Sequence, residues 1–204
     1  VDDRVVITLF RHGVTEDNRR GAYIGWTNSH LSEEATFPEV DEDDYALIWM
    51  SDLDRCTETA EHLFPSKGKK KNDAFREMHF GEWEGKAYAD LEHDDHYRRW
   101  ISDPLTVSPP GGESFKEFGG RVDKAFDSVI DQVKQTPNRS AAIVTHGGVI
   151  RYLLSKYAPI ERSFWEWHVQ HGTGVSLEWK RSEWRSDARC ISLREVPITA
   201  KPNG

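Results

Sequence analysis

Apolar positions fall into short unbroken runs, separated by polar stretches and by a few segments of helical period. Val5-Val-Ile-Thr-Leu-Phe10 has five apolar residues in six and stops at Arg11-His12-Gly13. A short run rich in β-branched residues, bounded by a turn signal, predicts a strand buried on both faces. Residues 45–50 form a second such run, ending at Ser51-Asp52. Residues 141–145 form a third, ending at His146-Gly147-Gly148. Phe115, Phe118, Val122, Phe126, Val129, Ile130 and Val133 recur at spacings of three and four, which predicts one long amphipathic helix within 113–133. Residues 54–64, 90–100 and 149–157 also carry helical spacing. Residues 175–179 and 190–193 alternate enough to be strands nearer a sheet edge. Residues 14–26 predict a loop or short helix over the end of the first strand. A helix starting at Leu31 is cut short by Pro38 and the acidic run 39–44. The basic run 67–71 predicts a solvated loop. Buried strands alternating with helices predict an α/β fold: a three-layer sandwich with a central, mostly parallel sheet and helices on both faces.

Composition narrows the classes. The 204 residues fit one domain, 1–204, with a sizeable core, and no repeat or linker divides them. The formal charge of −8 disfavours nucleic acid and anionic membranes as partners, so an anionic ligand would need local positive charge. Cys56 and Cys190 lack metal-ligand spacing and suit a reducing compartment. Residues 1–4 lack a signal-peptide pattern, and no apolar run nears the ~18 residues that span a bilayer. Together these predict a cytoplasmic protein. His93 and His96 lie on a polar segment and predict exposed side chains rather than a metal site.

Ligands of α/β folds collect outside the carboxyl ends of the strands. Two strands here end in histidine followed by glycine, and a third is followed closely by Arg55. Arg11, His12, Arg55 and His146 therefore converge on one rim. Guanidinium forks match the oxygens of a phosphoryl group. An imidazole can attack phosphorus and carry the group, and a carboxyl group can protonate the leaving oxygen. No P-loop signature is present.

These residues resemble the histidine phosphatase superfamily, which includes cofactor-dependent phosphoglycerate mutases and many phosphatases. Leu9-Phe-Arg-His-Gly-Val-Thr-Glu-Asp-Asn18, with Gly25-Trp26 and Leu31-Ser32, resembles its opening signature. Ser51-Asp-Leu-Asp-Arg-Cys-Thr-Glu-Thr-Ala60 resembles its second-arginine motif. Arg76-Glu-Met-His-Phe-Gly-Glu-Trp-Glu-Gly85 resembles its acid motif, and Thr145-His-Gly-Gly148 its second-histidine motif. Phe80-Gly-Glu-Trp83, Pro110-Gly-Gly-Glu-Ser-Phe115 and the stretch through Trp165, Val169 and Gly172 carry a likeness to small phosphatases of the alpha-ribazole phosphatase type. The resemblance implies His12 as nucleophile, Arg11, Arg55 and His146 as phosphoryl clamps, and Glu77 as proton donor. It implies Thr15, Asn18, Gly25 and Gly147 as further substrate contacts, with Glu82 and Glu84 surface or structural. It also implies a small phosphorylated metabolite as substrate, no metal and no cofactor, and a monomer or homodimer.

A metal-independent phosphomonoesterase is the leading expectation, with alpha-ribazole 5′-phosphate a candidate substrate. A mutase-like phosphotransferase is the first alternative. It is disfavoured by Ile24, where mutases tend to have a small hydroxyl residue, by the truncated helix after Leu31, and by the modest segment 83–114. A catalytically inactive phosphoprotein-binding relative is the second. The presence of both histidines, both arginines and Glu77 disfavours it.

Overall fold

The computed structural model describes residues 4–184 and 188–197. In chain order the elements are β1 (Arg4–Arg11), α1 (Glu16–Arg19), β2 (Leu47–Met50), α2 (Asp54–Leu63), β3 (Lys69–Lys71), α3 (Tyr88–Leu91), α4 (Asp95–Ser102), α5 (Phe115–Val133), β4 (Ser140–Thr145), α6 (Gly147–Tyr157), β5 (Gly174–Lys180) and β6 (Ser192–Val196). The strands form one sheet in the order β3-β2-β4-β1-β5-β6. The pairs β1–β4, β2–β4 and β2–β3 are parallel, while β1–β5 and β5–β6 are antiparallel. The sheet is mostly parallel, as the buried runs predict.

Both faces are covered, which explains why the central runs carry almost no polar residue. Ile7, Leu9, Ala141 and Ile143 face a core shared with α5 and α6. Phe10, Ala142 and Val144 face the other way, onto Cys56, Ala60 and Leu63 of α2. Phe118, Phe126 and Ile130 of the predicted α5 stripe are buried. Each such side chain contributes ~1.5–3 kcal/mol relative to exposure. The Ser114 hydroxyl accepts from the Glu117 N–H, and the Glu117 carboxylate accepts from the Ser114 N–H, which sets the start of that helix.

Four expectations need correction. The basic run is not all loop: Lys69–Lys71 pairs in parallel with β2 as an edge strand. Lysine on an edge strand blunts further pairing, and Lys69 reaches Glu61 on α2 at 3.0 Å. The helix expected over 90–100 is two, α3 and α4. Asp94 breaks it by accepting from the His96 and Tyr97 N–H groups as the cap of α4. No helix follows Leu31; that residue forms an isolated bridge with Thr15 instead. The last strand begins two residues later than expected, at Ser192. The His96 ring nitrogen donates to the Ser108 carbonyl at 2.9 Å, tying α4 to the chain beyond it. Among the described residues, no helix is long and apolar enough to cross a membrane.

Candidate active site

The β1–β4 register builds the centre. Arg11 stands opposite Thr145, so the next residue on each strand, His12 and His146, are neighbours at the carboxyl rim. Their ring centroids lie 5.2 Å apart. The His12 N–H donates to the Thr145 carbonyl at 3.0 Å. Its Nδ1 lies 2.7 Å from the Gly13 carbonyl oxygen, which can only accept. Nδ1 therefore carries the ring proton and Nε2 presents a lone pair. Burial chiefly, then Arg55, Arg11 and His171, push the His12 pKa well below 6.5 against the opposing Gly13 hydrogen bond. The ring is neutral at physiological pH, the form a nucleophile needs.

Arg55 sits in the first turn of α2, at the rim next to β2, and is fully buried. Its guanidinium donates to the carbonyls of Thr27 at 3.0 Å, Gly25 at 2.7 Å and Ile24 at 3.4 Å. Those carbonyls are held in place by Glu84. One carboxylate accepts from the N–H groups of Gly25, Trp26, Thr27 and Phe80 at 2.9–3.1 Å. Burial works to raise the Glu84 pKa, but the N–H groups of Trp26 and Phe80, with Thr27, outweigh it and hold it below its ordinary value. Gly25 has both backbone polar groups engaged in this network. A Cβ there would lie 2.1 Å from the Met78 carbonyl oxygen, so only glycine fits.

Arg11 is anchored differently. One terminal nitrogen donates to the Val169 carbonyl at 2.5 Å, and its buried Nε has no partner among the described residues. Its guanidinium lies against Gly147, where a Cβ would stand 3.1 Å from Cζ. Burial lowers its pKa to about 10; Glu77 opposes this while Arg151 and Arg55 add to it. It keeps its charge at neutral pH. The Arg55 Nε donates to His146 Nδ1 at 3.3 Å, leaving His146 Nε2 to donate to the Ser51 hydroxyl at 2.9 Å. Burial first, then Arg55, His12, Arg121 and Arg11, keep His146 neutral as well.

Glu77 is clamped beside these groups. Its carboxylate accepts from its neighbour Met78 N–H at 2.9 Å and from the Gly148 N–H of α6 at 2.8 Å. A Cβ on Gly148 would lie 2.1 Å from Oε1. The carbonyl of Glu77 accepts from Arg121 at 2.7 Å and from the Trp26 indole at 3.0 Å. Arg121 also holds the carbonyls of Ala74 and Arg76 and the Glu113 carboxylate, so one guanidinium fixes the whole approach to Glu77. Glu82 is exposed. Thr15 and Asn18 form a reciprocal cap on α1: the Thr15 hydroxyl accepts from the Asn18 N–H, and the Asn18 amide oxygen accepts from the Thr15 N–H.

The sequence reading missed His171. Its ring centroid is 5.3 Å from that of His12, and burial with Arg11 and Arg55 lowers its pKa to about 3. The Gly172 N–H donates to the carbonyls of Arg11 and His12, which brings His171 to the rim. The available signal was a third His-Gly pair, placed before a strand instead of after one. It reaches the same rim because β5 runs antiparallel to β1. Arg151, one turn into α6, and Arg121 were missed too.

Residues 7–191 match the family model described as histidine phosphatase superfamily (branch 1). The adenosylcobalamin/alpha-ribazole phosphatase of Salmonella typhimurium is 29% identical over 181 residues, covering 83% of this chain and 88% of that one. Among solved structures, the alpha-ribazole phosphatase of Shigella flexneri superposes with a TM-score of 0.77 at 22% identity, covering 97% of this chain and all of that one, a likeness of fold. The phosphoglycerate mutase of Thermus thermophilus gives a TM-score of 0.66 at 26% identity, over 97% of this chain and 100% of that one. With four motifs gathered on one rim of a matching fold and the family model spanning most of its length, the chain belongs to the histidine phosphatase superfamily.

Proposed function

We propose that this phosphatase is a metal-independent phosphomonoesterase working through phospho-His12 on a small phosphorylated metabolite. The carrying observation is the neutral His12 ring, its Nδ1 proton held by Gly13 and its Nε2 lone pair free beside two guanidinium groups. Nε2 forms the bond to phosphorus while the ester P–O bond breaks. The leaving oxygen takes a proton from Glu77. Water then attacks phosphorus, Glu77 accepts its proton, the N–P bond breaks and phosphate departs. Arg11 and Arg55 hold the phosphoryl oxygens and balance charge that a metal would otherwise carry, while the neutral His146, accepting from Arg55 on Nδ1 and donating to Ser51 from Nε2, fixes where Arg55 stands. Gly147 supports them from the start of α6. Thr15, Asn18 and Gly25 act indirectly: the first two cap α1, and Gly25 seats Arg55.

Alpha-ribazole 5′-phosphate enters as a candidate substrate through the name of the Salmonella relative. The test is phosphate release from a panel of phosphomonoesters in the presence of EDTA, with alpha-ribazole 5′-phosphate and 3-phosphoglycerate included. Hydrolysis is expected with EDTA present and is lost in His12→Ala. Activity that disappears on chelation and returns with added metal contradicts the reading.

A further inference from the structure

We infer that the leaving group of the substrate carries one compact apolar ring, aromatic or of similar size, which a cavity beside Glu77 accepts. The inference rests on the phosphomonoesterase reading, because that reading locates the leaving oxygen. A general acid must lie within hydrogen-bond reach of the oxygen it protonates. The oxygen therefore sits at Glu77, and its substituent must run away from the phosphoryl site. One cavity of about 140 Å³ begins there: Glu77, Gly148 and Arg151 form the edge nearest the phosphoryl site. Its other walls include Phe80, Trp100, Phe115 and Trp165.

Size and chemistry both favour a ring. An apolar cavity of ~150 Å³ is large enough to hold benzene. The walls are aromatic faces and edges, with Phe80 and Trp100 meeting edge to face at 6.1 Å. The Tyr23 hydroxyl, the one phenol on the lining, is already bonded to Tyr97 at 2.7 Å, so Tyr23 offers its ring. Hydroxyl-bearing parts of a leaving group, such as the ribose of alpha-ribazole 5′-phosphate, would lose water against these walls and regain few hydrogen bonds, so an apolar ring is the part that the cavity takes.

The test compares 3-phenylpropyl phosphate with propyl phosphate on the intact chain. Their alkoxide leaving groups have nearly the same basicity, so the ring is the only difference. Burying one phenyl ring in the transition state predicts a kcat/KM ratio of roughly 10- to 100-fold in favour of the phenyl ester. Trp165→Ala removes one wall at a residue 47% exposed, so the core is undisturbed, and the ratio falls several-fold. A ratio near one with both esters turned over overturns the inference and leaves the phosphatase reading intact. If neither ester turns over, titration with 3-phenyl-1-propanol decides the cavity, and the phosphomonoesterase reading is decided separately by the phosphomonoester panel with EDTA. Saturable binding weakened by Trp165→Ala supports the ring site; no binding overturns it.

Discussion

Replacing Glu77 by glutamine separates proton donation from positioning. In the folded chain each carboxylate oxygen accepts one backbone N–H, from Met78 and Gly148 at 2.9 and 2.8 Å. Glutamine keeps the shape but sets an NH₂ group against one of those donors. That local conflict costs ~1–3 kcal/mol, a tolerable loss for a chain with two cores on one sheet. The catalytic loss is expected to depend on the leaving group. An alkoxide needs a proton in the transition state, so an alkyl phosphate is expected to slow by ~10²–10⁴-fold. At 1.36 kcal/mol per decade this is roughly 3–5 kcal/mol of barrier. A nitrophenolate needs little help, so phosphorylation of His12 by p-nitrophenyl phosphate is expected to slow far less. Single-turnover rapid quench on both substrates reads the first phosphoryl transfer directly, and thermal melts confirm folding. Gly148→Ala provides a second route to the same position, since its Cβ would stand 2.1 Å from Oε1. It is expected to show the same unequal losses. Equal losses on the two substrates would mean that Glu77 positions the phosphate and that the proton comes from another group.

Two further predictions follow from the networks around the arginines and histidines. Glu84→Ala removes the acceptor of four N–H groups that hold residues 25–27 against Arg55; inhibition by inorganic phosphate should weaken at least tenfold, by the worth of one misplaced charge-assisted contact (~1.5–3 kcal/mol), and unchanged inhibition contradicts the positioning role. Burial and the arginines keep His12 and His146 unprotonated in the folded state, while the unfolded chain takes up protons below about 6.5. Stability is therefore full above that pH and falls as pH drops toward the lowered folded values, by roughly 1.4 kcal/mol per pH unit for each ring. His30, raised chiefly by its hydrogen bond to Glu58, offsets part of this. The melting temperature should drop between pH 6.5 and 5, above the range of most carboxylates; a flat profile there contradicts the assignment of neutral rings.

What the sequence reveals follows from burial. β1, β2 and β4 are read easily because both faces are covered, and their carboxyl ends carry Arg11, His12, Ser51 and His146 to one rim. β3 is missed because an edge strand needs only its backbone: Lys69–Lys71 pairs through N–H and C=O groups while its side chains remain lysines. The break between α3 and α4 is missed because Asp94 acts as a cap only once the chain has turned. His171 is hidden because strand direction decides which end of β5 meets His12, and periodicity does not encode direction. Glu84 reads only as surface or structural from the sequence, and its control of Arg55 emerges where four N–H groups meet one carboxylate.

The central claim is a covalent phosphoryl group on His12 Nε2. The direct measurement is rapid-quench trapping during turnover of a ³²P-labelled phosphomonoester, with the label located by peptide mapping. An acid-labile, base-stable phosphate is expected on the peptide containing His12, formed and consumed at rates consistent with turnover and absent in His12→Ala. Label recovered on Ser51, Cys56 or any other side chain, or full turnover by His12→Ala, contradicts it.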